Sequence, residues 1–402
     1  MKILIVTQYF FPERFRINEL ALELKKRGHE VKVFTGKPNY PQGKIYPGYA
    51  LWGIQKEVWN ELEVIRIPII PRGHSSIGMI LNYLSFWVFG NARVKMVKGF
   101  QPDIIYVFET SPITCCMPAL RLKKKTGIPV IMNVQDLWPE NVVAITGLKN
   151  KAILYMLERL VHKIYLNCDL LLTASRQFIP SIQRRLPQTD KEQNKVKYWP
   201  QFSTVDSDCY KVHGKREFFD IIFTGNLGEG QGLELVIEAA SKMRESCVRW
   251  ILVGDGRNRE SLENKTKKMG LDKKILFYGN REEREIPQLL HQADVALLIL
   301  KDSPIFRMTV PAKLQTYLAC GMPVLGCVQG EAKKIILEAK AGIVTDEISA
   351  SELIRKAQWI SNVDKKQLQE YSSNGYLYGK QMFSREHLIN QLEEEMRGLS
   401  NV

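Results

Sequence analysis

Residues 302–324 read DSPIFRMTVPAKLQTYLACGMPV and lie between two apolar runs, 295–300 and 324–328, that have the length of strands. Thr309 suits an N-cap, and Pro311 suits a first helical turn, where a missing N–H costs nothing. Gly321 and Pro323 stop the helix. Strand, loop, helix and strand in this order form the unit of an open parallel sheet, whose loops at the carboxyl edge bind ligands. A helix N-terminus there presents unpaired N–H groups and a partial positive charge. Lys313 falls in the first turn, Arg307 just upstream, and Thr309 and Val310 at the entrance. Such a group would hold a phosphate or diphosphate. A crossover helix with two solvated cations has the same local pattern, so the rest of the chain must decide.

Other strand ends carry polar groups as well. Residues 221–224 lead into GNLGEGQG, with Gly225, Asn226, Gly228, Gly230, Gln231 and Gly232. Residues 249–253 lead into GDG, and 275–278 into GNRE, with Asn280 and Arg281. The glycine spacing is not that of a dinucleotide fingerprint, but with the GDG turn and the Lys313 stretch it makes three phosphate-compatible loops in one half of the chain. In the other half, the strand at 103–107 is followed by Glu109, Thr110 and Ser111, and that at 130–134 by Gln135, Asp136, Trp138, Pro139 and Glu140. Asp136 and Glu109 could orient a hydroxyl or take its proton; as caps and turn formers they would do neither. The first strand, 2–7, ends in QYFFPERFR, which offers aromatics with Glu13, Arg14 and Arg16 instead of a Gly-rich turn.

The elements that must position these groups alternate between strand and helix, twice over, which predicts two doubly wound α/β domains. Apolar periodicity lapses over 200–215, a linker, and domain boundaries at 1–200, 201–377 and 378–402 follow. Residues 36–60, rich in Pro, Gly and Tyr, read as a long loop. Residues 77–90, IGMILNYLSFWVFG, carry no charge and are too short to span a bilayer. They suit either a core helix or an interfacial one between the basic flanks Arg72, His74, Arg93, Lys95 and Lys98.

The net charge of +14 is one-sided: residues 1–200 hold 29 Lys+Arg against 15 Asp+Glu, while 201–402 hold 28 of each. A basic first half points to an anionic partner, whether membrane, phosphorylated substrate or nucleic acid. No nucleic-acid recognition motif is present. Seven scattered cysteines without CxxC argue for a reducing compartment and against zinc. MKILIVTQYF reads as a strand and not as a signal peptide.

MKILIVTQYFFPE, LALELKKRGHEVKVFTG, VIMNVQDLWPE, FTGNLGEGQGLELVIEAA and VPAKLQTYLACGMPVLG, in this order along nearly the whole chain, resemble family 4 glycosyltransferases. Closest in pattern are bacterial enzymes of O-antigen and capsule assembly, including transferases of N-acetyl-L-fucosamine. The resemblance implies the GT-B fold: two Rossmann-like domains facing a cleft, acceptor on the first, nucleotide-sugar on the second, and a C-terminal helix (384–399) crossing back to the first. It implies a retaining hexosyl or N-acetylhexosaminyl transferase with no cofactor, using a nucleotide-sugar, expected to be a UDP-sugar.

Several positions depart from the family. Its diphosphate-binding Arg and Lys fall on Asn226 and Gln231, its paired Glu residues on Met308 and Thr316, and its cleft His on Gln135, while Asp136 is kept. Arg307 and Lys313 are therefore expected to take over the diphosphate charge. The expected donor residues are Gly225, Asn226, Gln231, Asn280, Arg281, Arg307, Thr309, Val310, Lys313, Thr316 and Glu331; the acceptor residues are Glu13, Arg14, Arg16 and Trp138. No DxD-type triplet follows a strand, and cations with N–H dipoles would serve without a metal. The basic, partly apolar first half fits a polyprenyl-diphosphate-linked saccharide acceptor, no nucleic acid, and a cytoplasmic, peripheral location at the inner face of the plasma membrane. An epimerase of nucleotide-sugars on the same fold and a non-catalytic sugar-nucleotide-binding partner remain open.

Overall fold

Ile3, Leu4, Ile5 and Val6 are fully buried, as strand residues must be when both faces of a parallel sheet are covered. They lie in β1 (Lys2–Val6), near the middle of an eight-stranded sheet in the computed structural model. The structure describes residues 1–400 apart from 74, 206 and 215. His74 and Lys215, named above, thus lie outside the described residues, as does the side chain of Lys98. The chain divides into two units, Met1–Trp199 with the chain from Ile389 onward, and Pro200–Leu388.

The first unit holds β1, β2 (Glu30–Gly36), β3 (Gln55–Trp59), β4 (Leu62–Ile67), β5 (Ile104–Glu109), β6 (Val130–Val134), β7 (Leu170–Thr173) and β8 (Val196–Tyr198). Their order is β3-β4-β2-β1-β5-β6-β7-β8, parallel except for β3. Chain order reverses between β1 and β5, which opens a crevice at the carboxyl ends of those strands. β3 lies inside the segment expected as loop. It pairs with β4 through a turn whose Asn60 and Glu61 both take positive φ. Its sequence, QKEVW, is too polar to read as a buried strand and suits a sheet edge.

Parallel crossovers are right-handed. Connections stepping from β1 to β2 and from β5 to β7 run in opposite directions, so their helices cover opposite faces. Helix Arg16–Lys26 covers one face. Helices Ser76–Arg93, Met117–Thr126 and Lys151–Asn167 form the layer on the other, with Met117–Thr126 packed against both neighbours. Ser76–Arg93 is turned inside out relative to its composition. Asn82, Ser85, Phe86 and Gly90 face inward, while Ile77, Ile80, Leu81, Leu84 and Val88 are exposed.

The second unit has six parallel strands: β9 (Phe219–Thr224), β10 (Val248–Val253), β11 (Ile275–Gly279), β12 (Val295–Ile299), β13 (Val324–Cys327) and β14 (Gly342–Val344), in the order β11-β10-β9-β12-β13-β14. Here the order reverses between β9 and β12. The turn after β9 and the stretch after β12 therefore meet at the switch point. Within 302–324, two helices replace the single one expected. Ser303 caps a short helix, Pro304–Met308, in which Pro304 takes the first turn. Thr309 ends that helix and does not cap the next, which is Ala312–Ala319 with Pro311 at its N-cap.

The last helix, Arg385–Ser400, is anchored on the first unit by polar contacts. Glu393 faces His29 at 2.7 Å and Arg27 at 3.3 Å, and Arg27 donates to Asn390 at 2.5 Å. These partners hold the Glu393 carboxyl below its ordinary value despite burial, which acts the other way. A depressed carboxylate stabilises the fold above its unfolded pKa, and that contribution is lost as pH falls through the lower folded value. Glu393→Gln should therefore cost about 1–3 kcal/mol near neutrality. In denaturant titrations across pH, the gap from wild type should close below the ordinary value of 4.5.

Candidate active site

At the switch point of the second unit, two glycine turns lie back to back. Gly254 has φ +137°, and a Cβ there would come within 1.8 Å of the Gly225 carbonyl oxygen. Gly225 N–H donates to Val253 O at 2.9 Å and Leu227 N–H to Asp255 O at 2.8 Å. The stretch after β12 closes on the same turn, with Lys301 N–H donating to Gly230 O at 2.9 Å. Gly330, at φ +72°, lets the start of helix Glu331–Glu338 approach Arg307, whose carbonyl oxygen lies 1.9 Å from a Cβ placed there.

Lys313 reaches into this turn from the first turn of its helix. Its ammonium donates to Gln231 Oε1 and lies 4.0 Å from the centre of the Phe223 ring. A Cβ on Gly225 would sit 3.6 Å from Nζ. No carboxylate among the described residues pairs with it, and burial pulls its pKa from 10.5 to about 7. The ammonium of Lys313 thus lies against position 231, where the resemblance expects a cation. The arrangement has a half-buried cation, a helix N-terminus and open glycine backbone, which together can hold an anion.

The other expected donor residues divide. Gly225 and Asn226 are exposed on the turn, and Gln231 is the direct partner of Lys313. Thr309 and Val310 are half-buried at the junction of the two helices, and Thr316 Oγ1 donates to Ala312 O within its helix. Glu331 is buried at the start of its helix. Asn280 and Arg281 are exposed beyond β11, the edge strand. Arg307 departs from expectation: its guanidinium is exposed and bound by both Asp302 oxygens at 2.6 Å. It is a salt-bridged surface cation, and a ligand would have to displace a carboxylate to use it.

In the first unit, Glu109 ends β5 and is fully buried. Asp136 N–H donates to Glu109 Oε2 at 3.3 Å, and Asp136 Oδ2 accepts from Ser111 N–H at 2.8 Å. Trp138 Nε1–H donates to Ser111 Oγ at 3.0 Å. Burial, and then the Asp136 charge, raise the Glu109 pKa well above its ordinary value. Glu109 is thus the buried member of the pair, pushed toward its neutral form, and Asp136 is half-exposed beside it.

Glu13 is not a ligand-facing acid. It is 1% exposed and accepts backbone N–H groups from Phe10 at 3.2 Å, Asn39 at 2.8 Å and Tyr40 at 2.7 Å. It clamps the loop after β2 to the loop after β1, and burial raises its pKa to about 7. Arg14 is exposed and Arg16 half-buried at the start of its helix.

Asn82 is the residue that sequence reasoning passed over. Its Oδ1 accepts from Gln8 Nε2 at 2.7 Å and Tyr9 OH at 3.3 Å, while its Nδ2 donates to Ile70 O at 2.6 Å and Asn39 Oδ1 at 3.2 Å. It ties three loops to the carboxyl edge. The signal was available: in an uncharged run, Asn82 and Ser85 are three residues apart and so share a helix face.

Residues 14–190 match the family model "Glycosyl transferase 4-like domain", and 211–377 match "Glycosyl transferases group 1". The chain belongs to the glycosyltransferases. Among curated relatives, the "Putative colanic acid biosynthesis glycosyl transferase WcaI" of Escherichia coli (strain K12) is 27% identical over 342 residues, 80% of this chain and 82% of that one. The "Probable glycosyltransferase WbjE" of Pseudomonas aeruginosa is 25% identical over 264 residues, 62% and 64% of the two chains. Among solved structures, Anabaena Alr3699/HepE in complex with UDP superposes with a TM-score of 0.72 at 16% identity, over 99% of this chain and 100% of that one. Sucrose-phosphate synthase of Thermosynechococcus elongatus reaches 0.74 at 14%, over 99% and 98%. The glycosyltransferase has the expected GT-B fold.

Asn82→Ala should strand Gln8, Asn39 and the Ile70 carbonyl. It should lower the stability of this glycosyltransferase by roughly 2–4 kcal/mol. The thermal transition should fall, while Asn82→Ser, which keeps a hydroxyl, should recover part of the loss.

Proposed function

We propose that this glycosyltransferase moves a sugar from a nucleotide diphosphate donor to a lipid-linked saccharide during assembly of a surface polysaccharide. The observation that carries the donor half is Lys313. An ammonium with no carboxylate, held on Gln231 beside open glycine backbone at a sheet switch point, is a site for diphosphate oxygens. Uridine as the base is supported by the UDP in the HepE structure, and polysaccharide assembly by the description of WcaI. An N-acetylated amino sugar and retention of configuration enter through the family resemblance.

In the proposed reaction the anomeric carbon–oxygen bond to the diphosphate breaks, and its electron pair stays on the leaving group. Lys313 and the N–H groups of helix Ala312–Ala319 stabilise that charge, which makes a metal unnecessary. The acceptor hydroxyl bonds to the anomeric carbon, with Asp136 orienting it and taking its proton. The acceptor belongs to the first unit in this reading and the donor to the second. A lipid-linked acceptor makes the enzyme peripheral at the cytoplasmic face of a membrane; no helix among the described residues is long and apolar enough to cross one.

Lys313→Met should weaken binding of UDP-N-acetylglucosamine, taken as a diphosphate-diester probe, by roughly 10- to 100-fold, the weight of one charge-assisted contact. Arg307→Ala should leave it within about twofold, because its guanidinium is already paired and screened.

Diphosphate binding would raise the Lys313 pKa from about 7. Affinity should therefore be full below pH 7, fall as pH rises through it, and be accompanied by proton uptake. Calorimetry in buffers of different ionisation enthalpy measures this. A pH-independent affinity that Lys313→Met leaves unchanged would remove the donor assignment.

A further inference from the structure

The helix layer of the first unit has an apolar outer surface. Ile77 is 71% exposed, and Ile80, Leu81, Leu84 and Val88 continue its stripe at helical spacing. Trp52, 63% exposed in the loop before β3, meets Phe89 edge-on at 6.3 Å and widens the stripe. On the far side of Met117–Thr126, the first turns of Lys151–Asn167 expose Ile153, Tyr155 (63%) and Met156 (69%). Both helices begin after strands whose carboxyl ends form the edge that bears Asn82 and Asp136, so their exposed N-terminal halves lie toward that edge. Monomer surfaces rarely carry an apolar area of this extent without a use for it.

The charges around it are mostly positive, with Glu158 on the third helix the exception. Arg93 and Lys95 follow the first helix, and Lys124 and Lys125 end the second. Lys149, Lys151, Arg159 and Lys163 surround the apolar turn of the third, and no carboxylate among the described residues pairs with Lys149, Lys151 or Lys163. An open cavity of about 500 Å³, lined by Arg159, His162, Lys163, Arg185, Leu160 and Glu158, adjoins that turn. The inward face of Ser76–Arg93 is meanwhile committed to the Asn82 network, so the helix cannot turn its apolar side inward. Arg185 is paired with Glu140 and Glu158, but apolar side chains flanked by an excess of cations are the pattern of a helix lying in a lipid interface.

We propose that helices Ser76–Arg93 and Lys151–Asn167, on either side of Met117–Thr126, form a bilayer-contact face whose occupant is an anionic lipid surface, with a headgroup phosphate in the Arg159–Lys163 cavity. The face brings the Asp136 edge to the membrane. The inference rests on the lipid-linked acceptor proposed above for its purpose, and on this geometry for its location.

The test is co-sedimentation of the full chain with phosphatidylglycerol/phosphatidylethanolamine vesicles and with phosphatidylcholine vesicles, at about 0.05 and 0.5 M salt, a range over which screening of exposed charge becomes severe. Wild type should bind the anionic vesicles and lose much of that binding at high salt. Ile77→Ser with Leu84→Ser, and Tyr155→Ser with Met156→Ser, should each weaken binding at least about tenfold, because each side chain leaves lipid for water. Trp359→Ser, a half-exposed aromatic of the second unit, should bind as wild type does. An unchanged thermal shift with UDP shows that the serine variants are folded. Wild type that ignores anionic vesicles while keeping its UDP shift would overturn the proposal and leave the donor reading standing. Intact vesicle binding without a UDP shift would do the reverse. Serine variants that bind as wild type does, or that only split a dimer of this chain, would overturn the lipid face.

Discussion

A parallel sheet covered on both faces leaves polar chemistry nowhere to go but its ends. β5, β6 and β12 are buried along their whole length, and β1 and β9 along all but their first residue. An ionisable group inside such a strand needs a partner brought to it, as Asp220 in β9 has in Arg249 at 2.7 and 2.8 Å. The groups to which a chemical role is proposed lie at or beyond carboxyl ends: Glu109 and Asp136, Gln231 and Lys313. The switch in strand order sets where these ends meet. Between β1 and β5, and between β9 and β12, the flanking connections leave in opposite directions.

The same constraint sorts the polar residues at those ends into two kinds. Glu13 and Asn82 are buried, and each satisfies several backbone or amide groups, so their task is to hold loops in place. Asp136 keeps an exposed side while its neighbour Glu109 is pushed toward the neutral form by burial. That asymmetry is what a proton-handling pair needs, since two carboxylates that close cannot both stay charged without cost. Ser111 and Trp138 fix the orientation of this corner through the Asp136 carboxylate and the indole N–H.

Much of the fold was legible because a buried parallel strand announces itself as an uninterrupted apolar run. The runs at 130–134 and 249–253 lie in β6 and β10. β3 was not legible, since an edge strand facing water on one side has no such run. The short helix at Pro304–Met308 carried its start signal in Ser303 and Pro304, but that signal lay inside a stretch short enough to read as a loop. The site was legible by residue type more than by role. Lys313 and Asp136 lie where strand ends put them. Whether Glu13 faced a ligand or the interior depended on a loop packed against it from residues 39 and 40, and whether Arg307 was free depended on Asp302 turning back onto it. Both are questions of burial and pairing, which a linear pattern does not contain.

The exchange between positions 231 and 313 shows why that distinction matters for chemistry. Judged by position, the turn after β9 has lost its cation, because Gln231 stands where the family resemblance expects a lysine. In space, Lys313 brings an ammonium to that turn from a helix on the other side of the switch point. It reaches the same turn because Gly225 has no side chain to block it and because Phe223 offers a ring face to an ammonium. The new origin changes the physics. A lysine in the first turn of a helix adds its charge to the N–H groups there. Its hydrogen-bond partner is a neutral amide and no carboxylate among the described residues offsets its desolvation, which lowers its pKa toward neutrality. A cation kept in that state interacts more strongly with an arriving diphosphate than one already neutralised by a carboxylate. Arg307, bound at both ends of its fork by Asp302, would first have to give up that pair. The weaker-looking candidate by charge permanence is therefore the stronger one by electrostatics.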